Sequence, residues 1–96
     1  CFSSPNHSSD RLYCLSQLAG LYVVDENYTE AQKCCKLTIQ MAVEMNDYEA
    51  QFDSLINLGI ALANTGDVAG AHSRFTEAQD LSKVHVHLDD SKIPAY

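Results

Sequence analysis

Apolar residues recur at Leu12, Leu15, Leu18, Ala19 and Tyr22, three or four places apart, the spacing that lines one face of a helix. Ser9 or Asp10 stands where a side-chain oxygen accepts the first free amide hydrogens, so the pattern predicts a helix from there to about Val24. The polar break Asp25-Glu26-Asn27 separates it from a second run through Ala31, Cys35, Thr38, Ala42 and Met45. Asn46-Asp47 repeats the break, with Asp47 placed to cap a third helix carrying Phe52, Leu55, Leu58, Gly59 and Leu62. Thr65-Gly66-Asp67 ends that helix, because Gly66 takes the left-handed conformation without steric cost. A fourth helix carries Val68, Ala71, Phe75, Ala78 and Leu81. Val84 to Leu88 alternates briefly like a strand, but a lone short strand has nothing to pair with, so a turn or a frayed helix end is predicted. Asp90-Ser91-Lys92-Ile93-Pro94 is compatible with the start of a fifth helix, since proline is tolerated in a first turn.

Breaks of two or three residues force consecutive helices to run antiparallel, which makes the four helices two hairpins. The hairpins are related to each other. Leu15, Leu18, Ala19, Tyr22, Tyr28, Ala31 and Cys35 fall forty places before Leu55, Leu58, Gly59, Leu62, Val68, Ala71 and Phe75. A fixed offset that matches large apolar residues to large ones, and small to small, marks units that bury their faces against one another. The expected fold is therefore all-α, with stacked antiparallel hairpins over residues 10–85, a polar leader over 1–9, and a tail or the start of a further repeat over 86–96. Gly59 and Ala71 are the small residues where helix backbones must approach, and Leu58 and Phe75 fill the space around them.

At 96 residues and 46% hydrophobic the chain is one domain at most, with a small core. Thirteen acidic residues against six basic ones give a net charge of −7, a surface that repels phosphate backbones and anionic lipid. Nucleic acid is thus excluded as a partner. No apolar run approaches the roughly 18 residues of a membrane span, and no signal-peptide layout opens the chain, so a non-membrane, cytoplasmic protein is expected. An opening Cys1 in place of Met suggests a piece of a longer protein. Four cysteines could form two disulfides, but the side chains of Cys34 and Cys35 diverge by about 100° on a helix, which favours reduced thiols. Asn6-His7-Ser8 and Asn27-Tyr28-Thr29 match the glycosylation acceptor pattern and are read as coincidental.

Catalytic signatures are thin. The chain lacks a glycine-rich phosphate loop, a Gly-x-Ser-x-Gly elbow and a His-Glu-x-x-His helix. Cys35 takes a core position, with Cys34 at a helix interface or on the surface, rather than forming an activated thiolate. His85-x-His87 with Asp89 and Asp90 carries the ligand types zinc accepts, but the spacing is loose and a solvated tail is the simpler reading. Asp25, Glu26 and Glu30 suit the positive end of the second helix's dipole. No enzyme, cofactor or metal is expected.

The second unit reads Leu55, Asn57-Leu58-Gly59, Leu62, Thr65-Gly66-Asp67-Val68, Ala71, Phe75 and Ala78. It resembles the tetratricopeptide repeat, with its Leu-Gly pair, Gly-Asp turn and small-aromatic-small second helix. The first unit keeps Leu18, Tyr22, Tyr28 and Ala31 but has Ala19 for glycine, Glu26 for the turn glycine, Cys35 for the aromatic residue and Thr38 for the second alanine. The offset of forty exceeds the usual unit of about 34 residues and is similar to the long-unit branch that includes Leu-Gly-Asn-repeat spindle-orientation regulators and rapsyn. The resemblance implies adaptor work, with a partner's peptide or helix held on the concave face lined by the first helix of each unit. Carried onto this chain, that face comprises Tyr13, Ser16, Gly20 and Val23 with Asp53, Ile56, Asn57, Ile60, Ala63 and Asn64. It has no lysine or arginine, so a carboxylate-terminated ligand lacks charge-assisted bonds and an apolar or basic helical segment fits better. The alternative is a structural spacer or self-association element, with homo-oligomers forming through the exposed repeat ends.

Overall fold

The computed structural model describes residues 8–85 together with Leu88 and Ile93, with side chains from Arg11 onward. Four helices follow one another: α1 (Ser8–Val24), α2 (Tyr28–Met45), α3 (Tyr48–Asn64) and α4 (Val68–Val84). The chain is all-helical over this span. α1 begins at Ser8, so Ser9 and Asp10 lie inside its first turn rather than before it. No helix among the described residues is long and apolar enough to cross a membrane.

The three junctions share one geometry. Glu26, Asn46 and Gly66 have φ of 61°, 55° and 95°, each twenty residues after the last. In each, the following amide reaches back five residues: Asn27 N to Tyr22 O at 2.8 Å, Asp47 N to Ala42 O at 2.9 Å, Asp67 N to Leu62 O at 2.9 Å. The left-handed residue's own amide reaches back three, to Val23, Val43 and Ala63. This double closure satisfies carbonyls that a helix end leaves free. The residue that closes one helix also opens the next. Asp47 Oδ1 accepts from Ala50 N at 3.1 Å and Asp67 Oδ1 from Gly70 N at 2.9 Å, whereas the Asn27 side chain makes no such bond.

Such short junctions fold each helix back on its predecessor. α2 packs on α1 and on α3, α4 packs on α3, and α1 also touches α3, so the first helices of the two hairpins lie side by side. One core cluster gathers Phe52, Leu55, Ile56, Ala71, Phe75 and Ala78, and another gathers Ala19, Cys34, Cys35 and Leu58. The second joins the hairpins, because Leu58 of α3 sits among residues of α1 and α2.

The close approach expected at Gly59 is made by a ring rather than a backbone. A β-carbon there would lie 2.5 Å from Cε1 of Phe75. Forty residues earlier the pair is Ala19 with Cys35, both fully buried: α1 carries a larger residue than Gly59, and α2 a smaller one than Phe75. The departures of the first unit from the repeat pattern thus offset each other in volume. Thr38, also fully buried, donates from Oγ1 to the Cys34 carbonyl at 2.7 Å, while the buried Ser54 Oγ has no partner.

Three expectations need correction. Leu18 and Val68 are exposed, at 38% and 58%, although the periodicity set them on apolar faces. Leu18 lies on the side of α1 that no described helix covers, and Val68 is the first residue of its helix, where packing has barely begun. Cys34 and Cys35 are free as expected, but Cys14 is disulfide-bonded. After Val84 the chain turns, as expected: Leu88 N donates to His85 O at 3.0 Å and Leu88 is buried against the Phe75 cluster, with Ile93 packed beside it. The rest of the suggested fifth helix lies outside the described residues, as do His87, Asp89 and Asp90 of the loose zinc pattern.

Two substitutions test this packing. Gly59→Ala is expected to lower stability by about 1–3 kcal/mol in thermal unfolding, because the Phe75 ring must move. Glu26→Gly is expected to raise it by about 0.5–1 kcal/mol, since glycine adopts a positive φ without the β-carbon penalty.

Candidate functional site: a groove between α1 and α3

Because α1 and α3 run side by side, their outward faces form the walls of a groove of about 470 Å³. Its lining includes Ser16, Val23, Asp53, Ile56 and Asn57 of the expected site, together with Gly20. Gln17, Leu21 and Val24 line it too and were missed. Their signal was present: Gln17, Leu21 and Val24 continue the helical row that contains Gly20, but Leu21 and Val24 read as ordinary apolar positions.

Tyr13 lies in an adjoining hollow of about 330 Å³ with Leu12, Ser16, Gln17, Ala50 and the carboxylates Asp47, Glu49 and Asp53. Ser16, Gln17 and Asp53 belong to both, so the two hollows form one continuous channel. Ile60, Ala63 and Asn64 do not line it. Ile60 and Ala63 pack against the Phe75 cluster, and Asn64 is exposed with its Nδ2 donating to the Ile60 carbonyl at 2.8 Å. The groove is therefore shorter than the helical register suggested, because Ile60 and Ala63 are taken up by the core between α3 and α4. Ile56 is only 7% exposed and belongs to the same cluster, so it presents an edge to the groove rather than a free side chain.

The channel is one-signed. Its lining contains no lysine or arginine, and its charges are Asp53, Asp47 and Glu49. Asp47 is also committed to capping α3 through Ala50 N. Arg11 stands in the first turn of α1 outside the lining, and two basic residues on other helices pair with an acid one turn away: Lys33 with Glu30 at 3.4 Å on α2, and Arg74 with Glu77 at 2.6 Å on α4. Such exposed pairs contribute little to stability. Gly20 leaves an opening in the wall, since a β-carbon added there meets nothing within 4 Å.

Neither free thiol suits nucleophilic chemistry. Burial pushes the Cys35 thiol up to about 12, with the neighbouring Cys34 adding to the shift, and burial followed by Glu30 raises Cys34. A thiol held up in this way stays protonated and inert at neutral pH. Among the described residues no group of three or more His, Cys, Asp or Glu is placed to hold a metal ion. No protein-family model matches the chain, and comparisons with curated proteins and with solved structures find no match either.

Proposed function

We propose that this chain is a non-catalytic protein-interaction scaffold of the tetratricopeptide type, which holds a partner's helical segment in the channel between α1 and α3. The observation that carries the reading is the channel's chemistry: apolar and amide side chains along its length, acidic residues at one end and no basic residue in its lining. An amphipathic helix lays its apolar face into such a groove, and lysines or arginines on its flank complement Asp47, Glu49 and Asp53. Nucleic acid and anionic membranes carry the wrong charge for this surface, so neither is proposed as a partner. A cytoplasmic setting belongs to the same proposal; the free thiols of Cys34 and Cys35 suit it, whereas the Cys14 disulfide is of the kind an oxidising compartment favours.

The rival reading, a structural spacer within a larger repeat protein, is favoured by one observation. Ile56, chosen from sequence as a contact residue, is nearly all buried by the chain's own core. That burial also makes Ile56→Glu a poor probe, because loss of binding and loss of fold would coincide.

Gly20→Arg separates them. The arginine enters open space in the groove and replaces a helix-breaking glycine, which costs about 1 kcal/mol relative to alanine. Fluorescence polarisation with labelled leucine-lysine amphipathic helical peptides is expected to show binding that weakens with added salt and is at least ~10-fold weaker for Gly20→Arg. Helical circular dichroism and the melting temperature should stay equal or rise. Equal binding of an acidic leucine-glutamate counterpart, or no effect of Gly20→Arg, would overturn the reading.

A further inference from the structure

Three of the four glycines are explained by the fold. The Phe75 ring lies where a β-carbon on Gly59 would sit, and Gly66 has a φ of 95°. The Asp67 carboxylate, which accepts from Gly70 N, occupies the place of a β-carbon on Gly70. Gly20 has none of these reasons. It lies inside α1 without a positive φ, and a β-carbon added to it meets nothing within 4 Å. Glycine within a helix weakens it relative to alanine, so α1 is weakened at Gly20 without any gain in its own packing.

The forty-residue register shows what is missing. The counterpart of Gly20 is Ile60, whose side chain packs against the core between α3 and α4. On α3 an isoleucine thus fills this position, whereas on α1 the same position is a notch in the wall of the channel. Around the notch the lining is apolar or amide: Gln17, Leu21 and Val24 of α1 with Ile56 and Asn57 of α3. Leu21 and Val24 are 60% and 78% exposed, so apolar surface stands uncovered beside it. Charge lies mainly at the other end. α1 carries no charged residue from Leu12 to Val24, and Asp47 and Glu49 line only the adjoining hollow. An uncharged aliphatic group is therefore the chemistry that suits the notch.

We propose that Gly20 sets the specificity of the channel: its notch receives one large aliphatic side chain, a leucine or isoleucine, from the partner's helix. The proposal rests on the channel reading above and adds to it the residue that fixes the partner's register. A helix that seats such a side chain lays the residues three or four places to either side of it along Leu21, Val24 and Ile56. A methyl group on residue 20 would intrude into the notch. The same glycine that weakens α1 is thus what leaves room for the partner.

The test is a double-mutant cycle read by fluorescence polarisation, using the labelled leucine-lysine peptides with each leucine replaced in turn by alanine. On the native chain one leucine is expected to dominate, its replacement weakening binding at least ~10-fold. On Gly20→Ile, which fills the notch with the residue found at the matching position of the second unit, the same replacement should change binding less than ~2-fold. Gly20→Ala is expected to bind at least ~5-fold more weakly while its melting temperature rises by about 2–8 °C. A glycine of purely structural meaning would move the melting temperature alone. Leu37→Ala, on α2 outside the lining, should leave binding unchanged. If the native chain binds none of the peptides, the channel reading fails and the notch with it. If it binds them and Gly20→Ala binds equally well, or if every leucine counts alike on both proteins, the notch alone is overturned.

Discussion

The phenylalanine ring at position 75 lies where a β-carbon on residue 59 would have to be. With glycine at that point α3 and α4 close to the separation at which Phe52, Leu55, Ala71 and Ala78 also touch, and one core cluster results. Leu58 of the same helix lies in the other cluster, among Ala19, Cys34 and Cys35. α3 is therefore shared between two cores. Removing the fit at Gly59 disturbs the hairpin directly and the stack through Leu58, because interiors packed at this density transmit displacement rather than absorb it.

The first hairpin reaches a similar end by different residues. Ala19 and Cys35 replace glycine and phenylalanine, so volume moves from one helix to the other while the pair stays fully buried. Glu26 and Asn46 occupy the left-handed position that Gly66 fills in the third junction. Turn geometry is thus kept across all three junctions while residue type varies, with glutamate bearing the largest conformational penalty.

The four helices and their ends were legible because polar breaks and a 3.6-residue period coincide, and the stacking was legible from the forty-residue offset. The groove was half legible. Ser16, Val23, Asp53, Ile56 and Asn57 follow from helical register alone, since register fixes which side of a helix a residue occupies. Register does not fix which neighbour claims a side chain, and Ile60 packs on the Phe75 cluster while Asn64 bonds back to the Ile60 carbonyl. Leu18 failed for a related reason: periodicity identifies an apolar position but not whether a neighbour exists to cover it. Cys14, expected as a reduced thiol, is instead disulfide-bonded, through a contact that spacing does not encode.

If α3 couples the two hairpins into one cooperative unit, native-state amide hydrogen exchange will show it most directly. The slowest amides should fall in α2 and α3 together and share one opening free energy, with the amides of α1 exchanging faster through loss of the uncovered helix. Two separate protection levels, one for α1 with α2 and another for α3 with α4, would contradict a shared core and leave two independent hairpins.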